Sequence, residues 1–186
     1  MNTNDASDQA ESPNRVVVMM GVSGSGKSSV ARAVAAALDA AMLDGDFLHP
    51  RANVEKMARG EPLNDEDRRP WLDALNDAAF AMSRTHKLSL LVCSALKKRY
   101  RDRLRDGHPG MSFVFLKADH SLLESRLTAR QGHFFKPEML RSQFEALEEP
   151  GPDEPDVITV GVEAPLDEVV AAVIGLLRGS NPSIPQ

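Results

Sequence analysis

The sequence is short of cysteine, of aromatic residues and of long apolar runs. Cys93 is the single cysteine among 186 residues, so no intramolecular disulfide can form; with five scattered histidines there is no zinc-ligand spacing either. A lone thiol of this kind suits a reducing cytoplasm. No apolar stretch approaches the roughly 18 residues of a membrane-spanning helix. The first 14 residues are polar and acidic, which reads as a tail and not as a secretion signal. Basic charge is also in deficit: 22 Lys and Arg stand against 27 Asp and Glu, a net charge of −5. That balance argues against a general nucleic-acid binder, although it leaves room for a local basic site. Residues 179–186 (GSNPSIPQ) read as a second tail, leaving one domain over 15–178 with enough chain for a sizeable core.

Glycine, in contrast, is crowded into one place. Val16 to Ser29 reads VVVMMGVSGSGKSS, an apolar run that meets three glycines and a lysine. Glycine is costly to fix and adds nothing to a core, so another demand sets this composition. Phosphate binding supplies it. Gly21, Gly26, Lys27 and Ser28 fit G-x-x-x-x-G-K-[ST] without a mismatch. In such a loop the backbone N–H groups of Gly21, Val22, Ser23, Gly24, Ser25 and Gly26 turn into one concavity. The helix that opens at Lys27, Ser28 and Ser29 adds its positive end. Lys27 then reaches the β- and γ-phosphates of a nucleotide, and the Ser28 hydroxyl meets Mg²⁺. The flanks agree: a buried parallel strand before the loop and an alanine-rich helical pattern, SVARAVAAAL, after it.

The rest of the chain alternates. Strands are expected at 40–44, 88–93, 112–118 and 157–160, and helices at 52–58, from a cap at Asn64 or Asp65 through Met82, at 96–105, 121–130, up to about 147, and 165–177. Pro70 is tolerable in the helix that follows Asn64 if it falls in the first turn, where a missing N–H does no harm. Strands alternating with helices imply an α/β layered fold with a five-stranded parallel sheet, and ligands at the carboxyl ends of its strands.

Three clusters sit at or near those ends. LDGDFLH (43–49) places Asp44 and Asp46 around a glycine. Such a triplet also makes an Asp-stabilised turn; beside a phosphate loop the carboxylates are expected to serve Mg²⁺ and an attacking hydroxyl. Arg126 and Arg130 lie four apart on one helical face, leading into QGHFF, and are expected in a lid over about 126–140 that closes on phosphates and excludes water. KKRYRDRLR (97–105) carries six cations and one acid. Alone it reads as a solvated face or a nucleic-acid patch, and after a strand end equally as a site for a small anion.

MGVSGSGKS (20–28), LDGDFLHP (43–50), NVEKMARGEPLNDEDRRPWL (53–72), CSALKKRYRDRLR (93–105) and ESRLTARQGHFF (124–135) together resemble the gluconate kinases, P-loop small-molecule kinases similar to shikimate and nucleoside monophosphate kinases. The resemblance implies a homodimer that moves the ATP γ-phosphoryl group to D-gluconate, giving 6-phosphogluconate and ADP. By position, Arg126 and Arg130 look like the adenine-side and lid arginines, and Asp46 like the carboxylate beside the substrate hydroxyl. The strand LSLLVCS lacks the acidic residue that usually ends it in P-loop proteins, so Mg²⁺ would rely on Ser28, water and Asp44. Gluconate is an anion at pH 7; Lys97, Arg101, His49 and Arg51 are the expected partners of its carboxylate. A kinase for another small acceptor, a guanine-nucleotide switch (from LKAD at 116–119) and a nucleic-acid-stimulated ATPase are the competing readings.

Overall fold

Five apolar residues in succession, Val16–Met20, leave a strand no polar face, so both of its sides must be covered. A computed structural model describes residues 14–129 and 137–179, with backbone alone at 127–129 and 137–139. In it, β1 (Arg15–Met20) is the central strand of a parallel sheet with β2 (Ala41–Asp44), β3 (Leu88–Val92), β4 (Met111–Lys117) and β5 (Val157–Gly161), in the order β2-β3-β1-β4-β5. The register pairs Val17 with Leu90 on one side and with Ser112 on the other.

Alternation along β1 divides the core in two. Val17 and Met19 pack with Val30 and Val34 of α1 (Lys27–Leu38) and with Val173 and Leu177 of α7 (Leu166–Gly179). Val16, Val18 and Met20 pack on the opposite face with Trp71 and Leu75 of α3 (Asp65–Ser83) and with Leu104 of α4 (Lys98–Arg105). The result is the expected three-layer α/β fold, a five-stranded parallel sheet between helices. The remaining described helices are α2 (Arg51–Ala58), α5 (His120–Ala129) and α6 (Pro137–Ala146), with a 3-10 turn at Gly45–Leu48.

Pro70 does not meet the first-turn condition and lies inside α3 beyond that turn. The carbonyl of Glu66, four residues earlier, therefore receives no helical N–H from it. The helix start is secured by a capping box: Asn64 Oδ1 accepts from the Asp67 N–H at 2.9 Å, and the Asp67 carboxylate accepts from the Asn64 N–H at 2.8 Å. Lys56 of α2 donates to the same carboxylate at 2.6 Å, which ties α2 to the head of α3.

From β1 the chain leads to β2 on one side and later to β4 on the other. A crevice therefore opens beyond the carboxyl end of β1, at the switch in strand order.

Candidate active site

The glycine-rich loop sits at that crevice. Gly21, Gly24 and Gly26 have φ of 139°, 83° and 93°, values that L side chains rarely adopt. Gly21 also has no room for a side chain: a Cβ there would lie 2.7 Å from the Leu116 carbonyl oxygen. Its N–H donates to the Ser94 carbonyl at 3.2 Å, holding the loop against the end of β3. Val22 and Ser25 are buried beneath the loop, and Ser29 lies in the first turn of α1.

Lys27 is half-buried, with Nζ donating to the Val22 carbonyl at 3.0 Å. Burial holds its pKa below the ordinary lysine value, opposed by the carboxylates of Asp46 and Asp44. Ser28 Oγ donates to Asp44 Oδ2 at 2.7 Å, and the Asp46 N–H donates to Asp44 Oδ1 at 3.2 Å. Asp44 pairs in register with Val92, so β2 brings a carboxylate beside the end of β3, the strand that lacks its own. Gly45, between the two aspartates, is needed for packing: a Cβ would lie 2.5 Å from the Val92 carbonyl and 2.8 Å from Leu75 Cδ2.

Trp71 fastens this turn from α3, donating Nε1–H to the Gly45 carbonyl at 2.8 Å. The His49 ring stacks on the indole, centroids 4.3 Å apart and planes within 12°. Burial pushes the His49 pKa down, Asp46 opposes it and Arg68 adds to the lowering. Asn53 Nδ2 donates to the Asp67 carbonyl at 2.7 Å and lies 3.4 Å from His49 Nδ1. Because the carbonyl only accepts, the amide nitrogen must face it, and His49 Nδ1 is then the acceptor of the second N–H. Neutral His49 thus carries its proton on Nε2.

These groups share a cavity of about 600 Å³, lined by Ser23, Lys27, Asp46, His49, Arg68 and Trp71 among others. It brings together a cation at a phosphate loop, a carboxylate and a neutral imidazole donor, the mixture that phosphoryl transfer to a hydroxyl requires.

Not every expected residue joins them. Arg101 is fully buried, with Nε and NH2 on the Glu154 carboxylate at 2.7 and 2.5 Å and NH1 donating to the Ala95 and Leu96 carbonyls. It cannot meet a substrate; helical spacing turns it inward with Leu104, three residues on. Lys97 lines an adjoining cavity of about 330 Å³ and pairs with Asp65 at 3.2 Å. Arg51 is exposed at the start of α2, off the cavity wall. Arg126 donates to the Val162 carbonyl at 2.6 Å, just past the carboxyl end of β5, and does not line the cavity. Arg130, with 131–136 of the expected lid, lies outside the described residues.

The basic run also changes meaning. Lys97 and Arg99 pair with Asp65, Lys98 with Asp102, Arg101 with Glu154, Arg103 with Asp73 and Arg105 with Asp156. Each cation of 97–105 has a carboxylate within 4 Å, so the run is charge-balanced and not a bare basic face.

Trp71, Arg68 and Gln143 are among the cavity residues that the sequence did not place at the site. Arg68 precedes Trp71, Leu72 and Leu75 by three, four and seven residues, a cation on the buried stripe of α3, and that spacing was a readable signal. Gln143 of α6 accepts from the Ser23 N–H at 2.6 Å, across 120 residues, and nothing local marks it.

For Mg²⁺, the donors present fit. No cluster of three or more His, Cys, Asp or Glu able to hold a metal exists among the described residues. Mg²⁺, however, needs only one or two protein oxygens beside phosphate and water, and the Ser28–Asp44 pair supplies them.

Residues 16–150 match a family model described as an AAA domain. The chain is 64% identical to the thermoresistant gluconokinase of Escherichia coli K12 over 165 residues, covering 89% of this chain and 94% of that protein. It is 44% identical to a gluconokinase of Gluconobacter oxydans 621H, covering 86% and 89%. Among solved structures, a gluconokinase from Sinorhizobium meliloti 1021 superposes with a TM-score of 0.79 at 44% identity, over 90% of this chain and 94% of that one. With its phosphate loop, its strand order and its D-G-D turn all in place, the chain belongs to the gluconokinase family of P-loop kinases.

Proposed function

We propose that this chain transfers the γ-phosphoryl group of ATP to a hydroxyl of D-gluconate, yielding 6-phosphogluconate and ADP. The observation that carries the reading is the shared cavity in which Lys27 of the phosphate loop and Asp46 of the D-G-D turn face a wall formed by His49, Trp71 and Arg68. The relatives named gluconokinase support the choice of acceptor.

The loop amides and Lys27 hold the triphosphate, and the partly desolvated ammonium meets the negative charge that grows on the transferred group and the leaving ADP. Asp46 takes the proton of the acceptor hydroxyl as its oxygen bonds to phosphorus and the bond to the ADP oxygen breaks. His49 Nε2–H donates to the sugar chain, and the buried Trp71 indole stacked against it holds the imidazole in place. Ser28 and Asp44 would hold Mg²⁺, which supplies charge neutralisation on the phosphates when bound. Arg126 and Arg130 belong to the proposal as nucleotide-side and lid cations on the family resemblance, which also supports a homodimer in the cytoplasm.

A coupled ADP-release assay across sugar acids, sugars, shikimate and nucleoside monophosphates tests the reading. Turnover is expected with gluconate and Mg²⁺ present together. Preference for shikimate or a nucleoside monophosphate would establish a kinase of another acceptor, and ATP hydrolysis indifferent to every acceptor a non-kinase ATPase. Light scattering on the purified chain tests the dimer.

A further inference from the structure

An acceptor that carries a carboxylate needs a cation whose charge is not already matched. Around the cavity most cations are spent: Lys97 on Asp65 at 3.2 Å, Lys56 on Asp67 at 2.6 Å and Arg101 on Glu154 at 2.5 Å. Lys27 belongs to the phosphate end. Arg68 is different. It lines the main cavity and the adjoining one, and among the described residues it makes no ion pair and one side-chain hydrogen bond, from NH1 to the Leu63 carbonyl at 2.6 Å.

That bond has a geometric consequence. A guanidinium is planar with five N–H donors; engaging NH1 on a backbone carbonyl fixes the plane and leaves the Nε–NH2 edge, the edge that takes a carboxylate through two parallel bonds. Tyr100 supports the other side, with Arg68 Cζ 5.8 Å from its ring centroid. Asp46 lines the same cavity and repels a second carboxylate from its vicinity, so an anionic acceptor is turned with its carboxylate toward Arg68 and a hydroxyl toward Asp46.

We infer that Arg68 is the residue that reads the acceptor's carboxylate, and so sets the preference for a sugar acid over a neutral sugar or polyol. The inference rests on the gluconate-phosphorylating reading and assigns its specificity to one side chain on the head of α3. Arg68 is a binding residue that orients the acceptor; it takes no part in moving the proton or the phosphoryl group.

The test uses the full chain, D-gluconate and its neutral isostere gluconamide. Arg68→Gln should raise the KM for gluconate by about 100-fold or more while the KM for ATP stays within about threefold, because a site built around a polar partner loses most when that partner is missing. The ratio of kcat/KM between gluconate and gluconamide should collapse toward one. Arg68→Lys, which keeps the charge but not the paired edge, should recover part of the loss. Titration calorimetry with gluconate in the presence of a non-hydrolysable ATP analogue should show the same order of affinities. An unchanged gluconate KM, or an unchanged gluconate-to-gluconamide ratio in Arg68→Gln, overturns the role of Arg68 while leaving the reaction standing. Failure of the unmutated chain to phosphorylate gluconate overturns the reaction and this inference together.

Discussion

Glu154 holds Arg101 by two bonds to one edge of the guanidinium in the protein interior, Nε at 2.7 Å and NH2 at 2.5 Å, with both side chains essentially solvent-free. Arg105 adds a third contact to the same carboxylate at 2.8 Å. The Arg101 hydrogen bond, with that from Arg105, pulls the Glu154 pKa down to about 2 against the opposing effect of burial. Glu154→Gln should therefore destabilise the fold by roughly 3–5 kcal/mol, the range for breaking one partner out of a buried pair. The sign of the pH dependence follows from a depressed folded-state pKa: the contribution is full above the ordinary value near 4.5 and is lost as pH falls from there toward 2. Chemical denaturation of both proteins between pH 7 and pH 3 should show the gap closing on acidification; a gap of constant size contradicts the assignment.

Lys27→Ala should reduce turnover by more than about 100-fold, the usual scale for a group that meets charge developing in the transition state. The lysine is half-buried, with Nζ bonded to the Val22 carbonyl. Circular dichroism and melting temperature should still change little, since its single protein bond is to a loop carbonyl. Retention of more than about a tenth of the wild-type turnover would remove Lys27 from the reaction.

Asp46→Asn should bind ATP and lose most transfer, because the amide keeps the shape and cannot accept the hydroxyl proton. The side chain is exposed, and the bond to Asp44 comes from the backbone N–H, so the substitution leaves the turn intact. Titration with an ATP analogue separates the roles. Weakened nucleotide binding with near-normal turnover would shift Asp46 to the Mg²⁺ side of the site.

Cys93 should resist thiol reagents in the native protein. It is 1% exposed, and burial pushes its thiol pKa up to about 12, so the reactive thiolate is scarce at pH 8. Ellman's reagent should report about no thiol in the folded chain and one after unfolding in guanidinium. Rapid native labelling would show that the carboxyl end of β3 opens.

Those outcomes divide along what local spacing can and cannot carry. The phosphate loop, the apolar β1 run and the Asn64 cap were legible because each is a relation among near neighbours: glycines where φ is positive, apolar residues at a strand or helix period, a side chain reaching its own backbone. Pro70 shows the limit of that reading: the start of α3 at Asp65 was legible, but that the helix continues through a proline depends on the packing of Trp71, Leu72 and Leu75 beyond it.

The fate of the charges was of another kind. Six cations in nine residues look alike along the chain, yet Arg101 enters the core and Lys97 meets Asp65, while the cavity receives Arg68 from a different helix. A charge is stabilised by whatever carboxylate or carbonyl lies within a few ångströms, and those partners come from 32 residues away for Lys97 and 53 for Arg101. The amino-acid sequence by itself therefore determined where phosphate binds and that the fold alternates strand and helix. Only the tertiary structure decided which cation is left to face a substrate, because a cation stays available only where the packed elements bring it no counter-charge.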